Sequence, residues 1–445
     1  MTTTRVRIAT LVTGGVLIGS FAAAQNRETG SGLADRFLDR ESGLSLAQAI
    51  SRAVEGEPGL RASRTDVDAA RGRRLQAGLR PNPSVSIERR EEPTGTDNLT
   101  TTQVQWPLDL FRRSARVAVA DREVEATERS VDERIRVLVN DVRVRYGAAA
   151  AAVRELALVD RAVELVSRQF ELVRQRADQG ALPPLERDQM EVELHRYEAD
   201  GLLSAGRAEV SMIELKRAMG LAANSPLQLR DTLDTLVLPA VQETAAAGVP
   251  QASAVLLDRR SDVRSADADV RLAEARVERA TTEGRVDVSL YGSYMRMDAG
   301  FPQNGLADAG RVERVHGVFH YVSAGATVTV PLRNRNQGEA AAARAEQAGS
   351  LARRDATRLV AQAEIASAEA RVAAARAAVD ISSATVRLAA GNLGVVRQAY
   401  VLGRSTMTEL LSEQRRSLDI ERAQIETMKA AYDAWTALML AQGER

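Results

Sequence analysis

Val263-Arg264-Ser265 through Val288-Ser289-Leu290 repeats, without a gap, the stretch Leu60-Arg61-Ala62 through Val85-Ser86-Ile87. Val67 falls on Val270, Ala70 on Ala273 and Arg73 on Arg276. After an insertion in the second copy the match resumes, with Trp106-Pro107-Leu108 on Val330-Pro331-Leu332 and Val173-Arg174-Gln175 on Val396-Arg397-Gln398. Gly180 then falls on Gly403 and Glu186 on Glu409. The chain is a tandem duplication of a unit of roughly 200 residues, and the period sets the architecture before any single element is considered.

Each unit combines two apolar periods. Ile135, Val142, Ala149, Leu156, Val163, Phe170 and Ala177 recur every seven residues, as do Ile365, Val372, Val379, Val386, Leu393 and Tyr400 in the second copy. A seven-residue repeat buries a narrow seam between neighbouring helices and gives coiled-coil-like packing. Upstream of these seams the period drops to two. Val85 and Ile87 alternate with Ser84, Ser86 and Glu88; Val104 and Trp106 with Gln103 and Gln105; Val288 and Leu290 with Asp287 and Ser289; Val328 and Val330 with Thr327 and Thr329. Such alternation suits a strand with one apolar and one polar face, either a half-buried hairpin in a soluble sheet or a membrane barrel strand. Two such hairpins at equivalent repeat positions, behind the secretory leader expected at 1–24, favour the barrel.

These patterns predict an N-terminal extended segment at 25–44 and a first repeat over 45–220. That repeat holds a helix at 45–79, strands at 84–90 and 100–108, a long helix at 108–179 and a helix at 183–220. A linker at 221–257 crosses near mid-height. The second repeat, 258–440, holds a helix at 258–284, strands at 286–297 and 321–331, a long helix at 332–402 and a helix at 406–440, before a tail at 441–445. Each long helix needs a partner of similar length. End-to-end stacking of 183–220 on 258–284, and of 406–440 on 45–79, would supply two composites. The insertion from Asp298 to His320 is expected as a long loop facing outside.

The N-terminus carries Arg5 and Arg7, an apolar run from Ile8 to Phe21 and then Ala22-Ala23-Ala24. That is the pattern of a secretory signal peptide over 1–24, cleaved after Ala24, and the run is too short for a spanning helix. Charge argues against nucleic acid: 60 basic residues balance 60 acidic ones, so no basic surface is indicated. The chain has no cysteine and only His195, His316 and His320, which excludes disulfides and thiolate metal sites and leaves too few ligands for most metal-dependent catalysis. No nucleophile motif or phosphate loop occurs, so neither enzyme activity nor a cofactor is expected. His316 and His320, four apart, could in principle hold a metal, but incidental surface histidines are the simpler reading.

Over nearly all of the mature chain the sequence resembles the TolC-like outer-membrane efflux family. The resemblance lies in Leu44-Ser45-Leu46 with Ala47-Gln48-Ala49-Ile50, in Ala77-Gly78-Leu79-Arg80-Pro81-Asn82-Pro83, and in Val330-Pro331-Leu332-Arg333-Asn334-Arg335-Asn336-Gln337-Gly338. The last stretch is similar to the heavy-metal branch that serves cobalt, zinc, cadmium or copper pumps. The resemblance implies a mainly α protein with a membrane β-barrel: a homotrimer giving four strands per chain to a 12-stranded barrel, above a long periplasmic α-helical barrel. It also implies an outer-membrane location in contact with lipid, and work with a periplasmic adaptor and an inner-membrane pump of the resistance-nodulation-division type. A drug or other small-molecule duct of the same fold is the alternative. A periplasmic coiled-coil adaptor is a further one, though it would show a single hairpin.

By the same resemblance the two helix turns, Gly180 to Glu186 and Gly403 to Glu409, form the periplasmic tip. Gly180, Leu182, Glu186, Gly403, Thr406 and Glu409 would meet the adaptor, and Glu186, Tyr400, Arg404 and Glu409 would gate or select. Tyr400 and Glu186 match two partners of one closing link, and Glu409 matches an acidic position ringing the constriction. Ser405 stands where an arginine link occurs, and Ser412 at a second acidic position. On the residues alone, the glycines are also ordinary helix terminators and Glu409 an ordinary helix-start carboxylate.

Overall fold

The computed structural model describes residues 32–93, 97–238, 254–306 and 310–443. The signal peptide expected at 1–24, the middle of the linker (239–253) and residues 444–445 of the tail lie outside these. Two long helices dominate, α3 (Arg113–Asp178) and α7 (Gln337–Val401), of 66 and 65 residues. At about 1.5 Å per residue each is close to 100 Å long. Both start about five residues later than the pattern suggests, because a non-glycine residue with positive φ interrupts the chain first. Asp109 has φ 47° and Asn336 φ 60°, a conformation that Asp and Asn tolerate better than most. Asp109 is held by Arg116 at 2.7 Å, and Asn336 Nδ2 donates to the Ala280 carbonyl at 2.8 Å.

The helix expected at 45–79 is two helices, α1 (Leu46–Gly56) and α2 (Pro58–Gly78). Pro58 opens α2, and Glu57 before it takes an extended conformation while its carboxylate caps Gly59 N and Leu60 N. The proline forces this break, since it disfavours helical backbone in the residue before it. The helix expected at 258–284 divides similarly into α5 (Ala254–Arg259) and α6 (Ser261–Glu283), around an extended Arg260. The remaining helices are α4 (Pro184–Ala218) and α8 (Met407–Gln442).

The two repeats bury equivalent residues. Leu60 and Val263 are fully enclosed, as are Ala70 and Ala273 to within a few per cent. Along α3 the seven-spaced residues Val142, Ala149 and Leu156 have no exposed surface. α3 packs against α4 and α2 and against α6 and α8, while α7 packs against α8 and α6.

End-to-end stacking differs from the sequence expectation. α4 meets α2, its own repeat's helix: Gly220, φ 70°, sits where a Cβ would lie 2.9 Å from Pro58 Cδ. α8 meets α6: the Arg260 guanidinium donates to the Ala441 carbonyl at 2.8 Å, and Gly443 lies against Arg260. Each repeat therefore completes its own composite, α4 on α2 and α8 on α6, rather than borrowing from the other. Length alone permitted both pairings.

The sheet runs β1 (Ser84–Glu91), β2 (Asn98–Pro107), β3 (Asp287–Leu306) and β4 (Val312–Thr329) in that spatial order, antiparallel throughout. The β2–β3 pairing joins the two repeats into one sheet. β3 and β4 extend well beyond 297 and 321, so most of the expected loop is ladder, with the register interrupted only between Gly300 and Asn304. The break falls at Phe301-Pro302-Gln303. Strand geometry also separates His316 from His320: both lie on one face of β4, two side-chain positions apart, hence about 14 Å at ~3.4 Å per residue. They cannot chelate one ion.

Residues 32–44, expected to be extended, instead form a 3-10 turn at Leu33–Arg36 and pack on α3, with Leu38 and Leu44 each bridged to Leu229. Tyr146 on α3 is fully buried and donates to the Leu44 carbonyl at 2.8 Å. Among the described residues no helix is long and apolar enough to cross a membrane.

Candidate functional site

The end of the molecule opposite the sheet is built from two turns of identical design. At the end of α3, Ala181 N donates to the Arg176 carbonyl and Gly180 N to that of Ala177, both at 2.9 Å. At the end of α7, Arg404 N donates to Ala399 at 2.8 Å and Gly403 N to Tyr400 at 2.9 Å. This paired bonding closes a helix around one left-handed residue. Gly180 has φ 75° and Gly403 φ 68°, and nothing lies within 4 Å of a Cβ built on either. Backbone conformation, not space, calls for glycine at both.

Thr406 caps α8: its hydroxyl accepts from Glu409 N at 3.2 Å, and Glu409 Oε2 accepts from Thr406 N at 2.9 Å and from the Ser405 hydroxyl at 2.6 Å. The Glu409 carboxylate is thus folded back on the helix start. Hydrogen bonds from the Ser405 side chain and from Thr406 hold its pKa below the ordinary glutamate value. Ser412 donates its hydroxyl to the Glu409 carbonyl at 2.9 Å. Arg404 is exposed and Leu182 packs partly buried against the core.

The structure brings Tyr400 and Glu186 together, the phenol donating to Oε2 at 3.3 Å. Burial, then the neighbouring Glu186 charge, raise the Tyr400 pKa, so the phenol keeps its proton for this bond. The adjoining contacts were not anticipated from sequence. Glu193 on α4 is 1% exposed and meets Arg415 of α8 through both its oxygens, at 2.9 Å between Oε1 and Nε. One heptad on, Asp200 pairs with Arg422. Glu186, Glu193 and Asp200 share a face of α4 by their spacing of seven, as Arg415 and Arg422 do on α8. That spacing was legible, but the facing helix was not. Toward the tip the same two helices border an open groove of about 410 Å³, lined by Leu185, Asp188 and Val192 from α4 and Thr408, Leu411 and Arg415 from α8.

At the other end, the register sorts the strands into two faces. Val85, Ile87, Val104, Trp106, Leu290, Tyr294 and Val322 share one face and are exposed. Ser84, Ser86, Gln103, Gln105, Ser289 and Ser293 share the other. Among the described residues no group of three or more His, Asp or Glu side chains could hold a metal ion.

A duplicated helical hairpin whose sheet, over the rows next to the helices, is apolar on one face and polar on the other defines the protomer of a helical-barrel channel. Residues 49–221 and 253–444 match the outer membrane efflux protein family, and the chain belongs to that family. The fold is similar to that of CusC, at 16% identity and a TM-score of 0.72 over 94% of this chain and 96% of that one. It is also similar to a membrane protein from Pseudomonas aeruginosa, at 21% identity and 0.70 over 92% and 94%. The outer-membrane protein VceC of Vibrio cholerae gives 20% identity and 0.67 over 90% and 96%. No curated protein matches the chain.

Proposed function

We propose that three copies of this chain close a 12-stranded barrel in the outer membrane and form a passive duct from the periplasm to the exterior. The observation that carries this reading is the sorting of the part of the sheet next to the helices into an exposed apolar face and a polar face by the hydrogen-bonded register. Four strands leave two unpaired edges, which lipid does not tolerate, and small membrane barrels need about eight strands. Neighbouring copies must therefore complete the wall. The polar face then lines a water path, and the helices continue it into the periplasm.

In this reading the turns at Gly180 and Gly403 are the periplasmic tip. The groove between α4 and α8 receives a periplasmic adaptor that links the duct to an inner-membrane resistance-nodulation-division pump. Leu182, Glu186, Thr406 and Glu409 border that contact, while Tyr400 with Glu186, and Arg404 with Glu409, shape the opening. Three copies of Glu409 around an axis favour cations. Heavy-metal cations are the cargo we propose, on the likeness of residues 330–338 to the metal-exporting branch.

Fractionation tests the location: a heat-modifiable trimer in the outer membrane is expected, and release with soluble periplasm would overturn the reading. Deleting the gene tests the cargo. Lowered tolerance to cobalt, zinc, cadmium or copper is expected, whereas lowered tolerance to organic drugs alone would assign a drug duct instead.

A further inference from the structure

The lipid-facing side of the sheet changes character abruptly along the strands. From the helical end outward, the register lays down four successive rows on this face. They are Val288 with Val328; Trp106, Leu290 and Ala326; Val85, Val104, Gly292 and Ala324; and Ile87, Thr102, Tyr294 and Val322. Same-face rows are about 6.8 Å apart along a strand, so the four span roughly 20 Å between their first and last members. With strands tilted by about 40°, these rows rise about 16 Å along the membrane normal, roughly two-thirds of an apolar belt about 25 Å tall.

The next row on the same face is Arg89, Thr100, Arg296 and His320, each paired to its neighbour. Arg296 is exposed and has no ion-pair partner among the described residues. Arg89 is exposed and pairs with Glu91. His320 stacks on Tyr294, with ring centroids 5.9 Å apart, and its Nδ1 lies 2.7 Å from the Tyr294 hydroxyl. With the phenol donating to Nδ1, Nε2 carries the ring proton and remains a donor. The acids of this face, Glu91 and Asp298, belong to the row beyond, with Asn98 and Val318. The order outward from the acyl layer is apolar, cationic, acidic.

Resting on the barrel reading above, we propose that the row Arg89, Thr100, Arg296 and His320 is a binding site for the phosphate groups of the lipids that surround the channel in the outer leaflet. Phosphates lie immediately outside the acyl chains, at the depth of this row, whereas the carboxylates sit farther out. Guanidinium groups bind phosphate through parallel charge-assisted hydrogen bonds. Arg89 and Arg296 stand two strands apart, roughly 10 Å at ~4.8 Å per strand, so each takes its own phosphate. Continuity with the apolar belt favours a lipid over a free anion, because one molecule satisfies both surfaces.

Native mass spectrometry of the purified trimer tests this, with phosphatidic acid and diacylglycerol of matching chains as probes. Phosphatidic acid should be retained about tenfold more than diacylglycerol, the factor worth ~1.4 kcal/mol, and the double variant Arg89→Gln/Arg296→Gln should lose that preference. Arg90→Gln, on the opposite face and paired with Glu88, should keep it. Equal retention of the two lipids by the unaltered protein, an unchanged preference in the double variant, or displacement by excess inorganic phosphate would overturn the site. Conductance steps in planar bilayers separate the two readings. Steps without phosphate preference remove only the lipid site, while absence of steps from the unaltered protein removes the channel itself.

Discussion

The Tyr400 hydroxyl, in the last turn of α7, lies 3.3 Å from Oε2 of Glu186, in the first turn of α4, and so ties the second repeat to the first at the tip. Any widening of the tip that separates these turns must break this bond. A single hydrogen bond contributes about 0.5–1.5 kcal/mol net. Tyr400→Phe and Glu186→Ala should therefore each raise the open-to-closed ratio by roughly 2- to 12-fold. Single-channel recording in planar bilayers reads this directly, and identical open probability in both variants would detach the pair from gating.

Glu409 carries two roles that a single substitution separates. Glutamine also serves at the third position of a helix capped by threonine, so Glu409→Gln should leave the start of α8 intact while removing charge. Reversal potentials under a salt gradient should show a reduced cation preference, and unchanged selectivity would reject the acidic ring. The hydrogen bonds from Ser405 and Thr406 lower the carboxyl pKa. In the unaltered protein the preference should accordingly survive acidification through the usual glutamate range, near pH ~4.3, and fade only below it.

Periodicity made the large features legible. The seven-residue seam and the two-residue alternation are local, so the long helices, the strands and the duplication follow from sequence. Stacking order does not, because it depends on which helix end meets which. Gly220 over Pro58 and Arg260 against Ala441 decide it, and neither contact leaves a spacing signal. The β3–β4 extension was hidden for another reason: residues inserted relative to the first copy read as loop, yet they lengthen both strands, with one register shift. At the tip, Tyr400 and Glu186 were reached through family likeness, whereas the buried Glu193–Arg415 pair was not, since a glutamate on a charged helix looks solvated.

Gly147 of α3 lies beneath the Tyr432 ring of α8, where a Cβ would come 2.2 Å from Cε1. Tyr432 has no exposed surface, so the ring has nowhere to retreat. Gly147→Ala should destabilise the protomer by about 1–3 kcal/mol, as overpacked cores do, despite the better helix propensity of alanine. Combining it with Tyr432→Leu should recover part of that loss. A double-mutant cycle on thermal unfolding checks the coupling, and additive losses would show that the ring is not the obstacle.

Arg260, 1% exposed, meets Asp262 at 2.7 Å and Glu364 at 2.6 Å, and it closes the end of α8 through Ala441. Removing one partner of a buried pair costs about 3–5 kcal/mol, so Arg260→Met should lower the unfolding temperature markedly and loosen the junction of α8 with α6. Burial raises the Asp262 pKa, but the Arg260 hydrogen bond and the charges of Arg260 and Arg136 outweigh it, and the net shift is downward. A carboxyl whose folded pKa is depressed adds stability above its unfolded value, near ~3.9, and loses it as pH falls through the lower folded one. Thermal unfolding followed from neutral pH into that acid range should show this loss in the unaltered protein and a flatter profile in Asp262→Asn. Parallel profiles would mean that Asp262 titrates alike in both states and that the clamp holds through Glu364 and Ala441 alone.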